Sequence, residues 1–180
     1  MPRARSADTR ERIQQAALDL FSAKGVQHTS LKDIADRLGI TKPALYYHFS
    51  SRDDLVSSLA KPLIDDFDAY VGAMEADPPT GRRELLWSFF DLTYRHRGLL
   101  LLAIRDLSVL QEMHLTEHVA GWRRRIIALL IGESPSLADQ VRGMVAIGGL
   151  SDCAVAFEGV DVDELRTAAV DAAYDTLRSD

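Results

Sequence analysis

One cysteine, Cys153, is all that this 180-residue chain contains, so no intramolecular disulfide is available and the chain suits a reducing compartment. Long apolar runs are missing too. The longest, GLLLLAI at 98–104, falls far short of the roughly 18 residues that cross a bilayer. The basic N-terminus MPRARSADTR has no apolar stretch behind it, which argues against a secretory signal. These absences point to the cytoplasm and away from a membrane partner. No alternating apolar–polar run of useful length and no Asn-Gly or Asp-Gly pair is present, so strands and hairpins are not expected. A phosphate-cradling glycine loop and a nucleophile–base constellation are both lacking, which removes the usual grounds for an enzyme or a bound cofactor. Positive charge is scarce as well. The net charge of −6, taken alone, argues against a nucleic-acid partner.

The distribution of that charge says otherwise. Residues 1–52 carry nine Lys/Arg against five Asp/Glu, and residues 53–180 carry twelve against twenty-two. A basic head on an acidic body is what a protein needs if only its head meets a polyanion. Apolar residues make up 47% of the chain, enough for a sizeable core, and their spacing is helical throughout. Ile13, Ala16, Ala17, Leu20 and Phe21 form one stripe of a helix over 8–24, with Asp8 and Glu11 as a capping box and Gly25 as its stop. A short second helix follows Thr29 or Ser30, with the stripe Leu31, Ile34, Ala35 and Leu38, and ends at Gly39. Thr41 caps a third, in which Pro43 occupies the first turn. Ser51, with Asp54, opens a fourth that runs to about Glu75 and contains Pro62, which predicts a kink or a split. After the break ADPPTG at 76–81, further helices are expected at about 82–96, 99–110, 113–131, 135–157 and 161–178. Gly98, Gly132 and Gly159 serve as stops, and Ser134-Pro135 and Asp161-x-x-Glu164 as starts. The expectation is an all-α protein of about nine helices, divided into a head at 1–51 and a body at 52–180.

Two short helices joined by Gly-Ile-Thr make a helix-turn-helix pattern, whose second helix normally enters the major groove of DNA. Leu45 and Phe49, at i and i+4, face the core, which leaves Lys42, Ala44, Tyr46, Tyr47 and His48 at the outer surface. Tyrosine hydroxyls and a histidine N–H are donors to phosphate oxygens. Lys32, Lys42 and Arg52 add charge-assisted contacts, and Ala44 is placed to meet a thymine methyl. Arg3 and Arg5 reach toward phosphates or a minor groove if ordered, although a disordered tail is the plainer expectation. Helix-turn-helix pairs also occur as plain packing units, so the pattern alone leaves DNA binding open.

The stretch TRERIQQAALDLFSAKGVQHTSLKDIADRLGITKPALYYHFSSRDDL, residues 9–55, resembles the N-terminal domain of the tetracycline-repressor (TetR) family of bacterial transcriptional regulators. The resemblance rests on the A-x-x-L-F-x-x-x-G run, the S-x-x-D-I-A helix and the L-G-I-T-x-P-x-L-Y-Y-H-F-x-S stretch; the remainder of the chain matches only in length and helical pattern. It implies a three-helix DNA-binding head and a helical body for effector binding and dimerisation. It also implies DNA contacts from Lys32, Thr41, Lys42, Pro43, Ala44, Tyr46, Tyr47 and His48, and from Arg52 where the family usually has a lysine. The function implied is a ligand-responsive repressor that binds a palindromic operator as a homodimer and is released by a small, largely apolar effector.

The body is less specific. For the effector pocket the candidates are Trp87, Phe90, Tyr94, Met113, His114, His118, Trp122 and Met144, large or polar-tipped residues on helices expected to surround an interior. Dimerisation through the last two helices, as the resemblance implies, selects Val141, Val145, Gly148, Gly149, Leu165, Ala168, Ala169 and Ala172. These small residues are equally suited to packing within one subunit. HLTEH at 114–118 spells the H-x-x-E-H pattern of inverted zinc peptidases, with His114 and His118 on one face of a helix, but no third ligand accompanies it. No metal is expected. The alternatives are a dimeric helical interaction protein with a non-functional head, and a metal sensor using His114 and His118.

Overall fold

The computed structural model describes residues 2–105, 108–157 and 159–178, those at 2–7 and 105 by backbone path alone. Regular structure among the described residues is helical. The ten helices are α1 (Pro2–Lys24), α2 (Leu31–Leu38), α3 (Lys42–His48), α4 (Arg52–Ala76), α5 (Arg82–Arg95), α6 (Arg97–Arg105), α7 (Ser108–Glu112), α8 (Thr116–Ile131), α9 (Leu137–Ala156) and α10 (Val162–Thr176). The helix beyond the expected nine is α7, in a stretch where the spacing suggested one helix to 110 and another from 113. The chain divides into two compact units, Met1–Pro62 with Leu102–Leu115, and Leu63–Leu101 with Thr116–Asp180. The unit that holds the head is thus larger than 1–51, because it takes in the start of α4 and all of α7.

In the first unit, local chemistry sets almost every boundary. Gly25, at φ 85°, ends α1 and donates its N–H to the Phe21 carbonyl at 2.8 Å. Ser30 caps α2 through a full capping box with Asp33, and Gly39 closes it in the left-handed region at φ 64°. Thr29, the other cap candidate, is instead buried, its hydroxyl donating to the Gly25 carbonyl at 2.9 Å. Thr41 caps α3 by accepting from the Ala44 N–H, with Pro43 in the first turn. Ile13, Ala17, Phe21, Ile34, Leu45, Phe49 and Leu55 are all essentially without solvent exposure and form the core of this unit.

Two expectations change here. Helix α1 begins at Pro2, six residues before Asp8. Proline is well suited to a first turn, so Asp8 lies inside the helix, and Arg3 and Arg5 stand on helical backbone rather than on a tail. Their side chains lie outside the described residues. Pro62 does not split α4, which runs unbroken from Arg52 to Ala76. A proline withholds the N–H that the carbonyl four residues earlier needs, here that of Ser58. The Gln14 side-chain amide from α1 covers that position, donating to the Ser58 hydroxyl at 3.0 Å and to its carbonyl at 3.4 Å.

In the second unit α9 packs on α5, α8 and α10, and α10 packs on α5. Gly143 lets α8 and α9 approach closely, since a Cβ there would lie 2.8 Å from the Ile127 Cγ2 and 3.2 Å from that of Ile131. Polar ties cross between the helices. The Trp122 indole N–H donates to Asp68 at 2.7 Å, Arg125 holds Glu75 through two bonds of 2.8 and 2.6 Å, and Arg166 holds Asp91 at 2.7 Å. Three boundaries differ from the expectation. Gly98 lies within α6, and the break falls at His96, a capping turn. The α9 cap is Ser136, boxed with Asp139, instead of Ser134-Pro135. Helix α8 starts at Thr116 because His114, at φ 55°, is left-handed and no right-handed helix passes through it.

Candidate nucleic-acid interface

Helix α3 offers a nearly continuous outer face. Thr41, Lys42, Pro43, Ala44, Tyr46 and Tyr47 are exposed and His48 is half-buried, while Leu45 and Phe49 turn fully inward. Tyr47 is 80% exposed and Tyr46 50%. An aromatic this open contributes little to the core and leaves its ring and hydroxyl available to a partner. The Tyr47 and His48 rings meet edge to face at 5.2 Å, which stiffens that end of the helix.

The helix is held from behind by a residue the spacing gave no reason to select. Arg10 of α1 donates to the His48 carbonyl at 2.7 Å, satisfying an orphan acceptor at the end of α3. Its guanidinium also lies 4.1 Å over the Phe49 ring. The cap that follows is equally fixed. Ser51 accepts from the Asp54 N–H at 3.0 Å, and the Asp54 carboxylate accepts from the Ser50 N–H at 2.8 Å. That backbone bond, with the Ser50 hydroxyl, holds the Asp54 carboxyl below the usual carboxylate range. The Ser30 hydroxyl and amide do the same for Asp33. Both carboxylates therefore stay ionised to a lower pH than free ones.

The two flanking cations differ. Lys32 is exposed and paired with Asp36 at 2.6 Å within the same helix, which raises its pKa. A surface pair of this kind is weak, so the ammonium is free to exchange onto a phosphate. Arg52 is not free in that sense. Its Nε donates to the Thr29 carbonyl at 3.2 Å, its Nη2 to the Val26 carbonyl, and its Nη1 to Glu112 of α7 at 2.9 Å. The guanidinium expected to face phosphate is engaged within the protein. Glu112 carried no sequence signal, because the pairing depends on where α7 packs.

Trp87 lines an open depression of about 470 Å³ with Arg83, Glu84, Ser88 and Asp91, and Arg166 stacks over its ring at 4.6 Å. His118 and Trp122 line a smaller one of about 220 Å³ with Asp68 and Arg125. Phe90 is fully buried against the Tyr94 ring at 5.8 Å, and Met113 is a core residue of the first unit. Met144 is exposed on a groove of about 920 Å³ between α8 and α9. His114 is exposed in the turn before α8, so it does not share a helix face with His118 as the H-x-x-E-H spacing suggested. Among the described residues no group of three His, Cys, Asp or Glu is placed to hold a metal ion.

The interface candidates separate into two sets. Val141, Val145 and Gly149 of α9 and Ala168 and Ala172 of α10 are exposed, while Leu165 and Ala169 are buried. Gly148 is half-buried, and a Cβ there would lie 3.2 Å from Nη2 of Arg123, whereas nothing approaches Gly149 within 4 Å. Leu137 and Met144 extend the exposed apolar stripe of α9.

Residues 13–59 match the family described as "Bacterial regulatory proteins, tetR family". The HTH-type transcriptional regulator TtgR of Pseudomonas putida is 36% identical over 88 residues, 47% of this chain and 42% of its own length. The HTH-type transcriptional regulator AcrR of Shigella flexneri is 39% identical over 83 residues, 44% of this chain and 39% of its own. The chain thus spans about two fifths of the length of these relatives. Among solved structures, the ketosteroid transcriptional regulator KstR2 of Mycobacterium tuberculosis superposes with a TM-score of 0.72, covering 94% of this chain and 93% of its own at 18% identity. At that identity the likeness is one of fold: a helix-turn-helix head followed by a helical body.

Proposed function

Since the chain belongs, by its N-terminal head, to the tetR family of bacterial regulatory proteins, we propose that it is a ligand-responsive repressor that binds a palindromic operator as a homodimer. The observation that carries this reading is the outer face of α3, where Thr41, Lys42, Pro43, Ala44, Tyr46 and Tyr47 all reach solvent from a helix pinned by Leu45, Phe49 and Arg10. Lys42 and Lys32 supply phosphate charge, and the tyrosine hydroxyls and His48 supply neutral donors. Ala44 offers a methyl group but no hydrogen-bonding atom, so base reading leans on Lys42 and on groove shape.

The second copy covers the exposed stripe of α9, Val141, Val145 and Gly149, together with Ala168 and Ala172 of α10. An isologous contact through one self-complementary face is the commonest arrangement, and it matches a two-fold operator whose half-sites lie about 34 Å apart. An effector that binds the body better in one conformation shifts the population of that conformation. Helix α4 transmits the change, with Pro62 as the hinge. The support for this is that Pro62 ends the first compact unit within an unbroken helix, and that the carbonyl it orphans accepts from a side-chain amide of α1.

The test is a gel shift on fragmented genomic DNA of the source organism. Retardation of discrete fragments, abolished on substituting Lys42→Ala with Tyr46→Ala while the dimer persists on sizing, is the expected result. Failure to retard any fragment at any salt concentration leaves the interaction-protein reading standing instead.

A further inference from the structure

Resting on the DNA-binding reading, we infer that Arg52 and Glu112 form a strut that positions the helix-turn-helix. Glu112 is thereby a determinant of DNA affinity although it lies sixty residues beyond Arg52 in sequence and its carboxylate has no hydrogen to donate to a phosphate. The guanidinium sits where three segments of the first unit meet. It donates to Val26 and Thr29, carbonyls of the loop that delivers Ser30 as the cap of α2, and its third bond goes to the carboxylate on α7. Thr29 extends this network, its hydroxyl holding the Gly25 carbonyl where α1 ends. Arg52 also opens α4, so a single side chain ties the loop between α1 and α2, the start of α4 and α7.

The pair is partly withdrawn from water, with side-chain exposures of 28% and 25%, so it is screened less than an ordinary surface ion pair. Its geometry needs the fork of an arginine. The three acceptors lie on different N–H groups of one planar guanidinium, a set that the point charge of a lysine does not match. The carboxylate also neutralises the charge that a phosphate would otherwise attract. A strut and a phosphate ligand therefore predict opposite things.

The experiment measures binding of the intact protein to a retarded DNA fragment across a series of salt concentrations. For the strut, Arg52→Gln, Arg52→Lys and Glu112→Gln each weaken binding by roughly tenfold to a hundredfold, as expected when a charge-assisted bond is removed. The slope of log affinity against log salt stays that of the wild type, and the double variant Arg52→Gln with Glu112→Gln is no worse than either single one. For a phosphate ligand, Arg52→Gln flattens the slope by about 0.9 for each phosphate it no longer neutralises. Arg52→Lys then keeps most of the affinity, and Glu112→Gln tightens binding by freeing the guanidinium. Any of those last three results overturns the strut. If Arg52→Gln fails to fold, Glu112→Gln and Arg52→Lys carry the same test. A wild-type protein that binds no DNA refutes the reading beneath it instead, and is distinguished from a wild type that binds while its variants keep full affinity.

Discussion

The head and the body of this chain are both helical, but their candidate residues are organised in different ways. In the head, most of the recognition set sits on one seven-residue helix, and its outward direction follows from the i, i+4 pair Leu45 and Phe49. In the body, the candidates come from several elements, and whether they meet depends on how those helices cross. A site on one helix is fixed by spacing alone, whereas a site between helices is fixed by packing.

The largest expected effect separates the two sides of α3. Phe49→Ala removes a fully buried ring that also lies under Arg10, and it should cost about 3–5 kcal/mol in urea or thermal unfolding. Tyr47→Ala, at an exposed position, should change stability by no more than about 0.5 kcal/mol while weakening DNA binding. Equal destabilisation by both would erase the division between the two faces.

A comparable contrast exists within α9. Gly143→Ala forces a Cβ to within 2.8 Å of the Ile127 side chain and should destabilise the body by about 1–3 kcal/mol. Gly149→Ala meets nothing within 4 Å. In a lone subunit it should stabilise α9 by up to about 1 kcal/mol through helix propensity. If the second copy packs there as proposed, it should instead weaken association on analytical ultracentrifugation.

What was legible in the sequence follows the same line. The caps Ser30, Thr41 and Asp161 and the stops Gly25, Gly39 and Gly132 are visible because each acts on its own neighbours. The exposed face of α3 was legible for that reason as well. Pro62 read as a kink or a split of α4, and nothing in the sequence pointed to Gln14 as the donor that meets the Ser58 carbonyl in the unbroken helix. Glu112 was invisible, because α7 is a short helix set by packing and its partner lies far away in sequence. The H-x-x-E-H spacing misled by assuming helix through His114, where the backbone turns left-handed.

The smallest effect is on pH dependence. Asp33 and Asp54 have their carboxyls held below the usual range by serine hydroxyls and amides. A depressed folded pKa means that the stabilisation is complete above the ordinary carboxylate range and is lost as the pH falls through the depressed values. Asp54→Asn should therefore lower the melting temperature of the head at neutral pH and reduce its loss on acidification. A melting profile that is parallel to the wild type at all pH values would show that this cap contributes nothing.

The most direct measurement of the central claim is the affinity of Lys42→Ala with Tyr46→Ala for a fragment that the wild type retards, read beside its melting temperature and its size. The account predicts at least about a tenfold drop in affinity, a slope against salt that flattens by about 0.9 for each phosphate no longer neutralised, and an unchanged fold and oligomeric state. Wild-type affinity in that variant would contradict it, because the exposed face of α3 would then have no part in holding DNA.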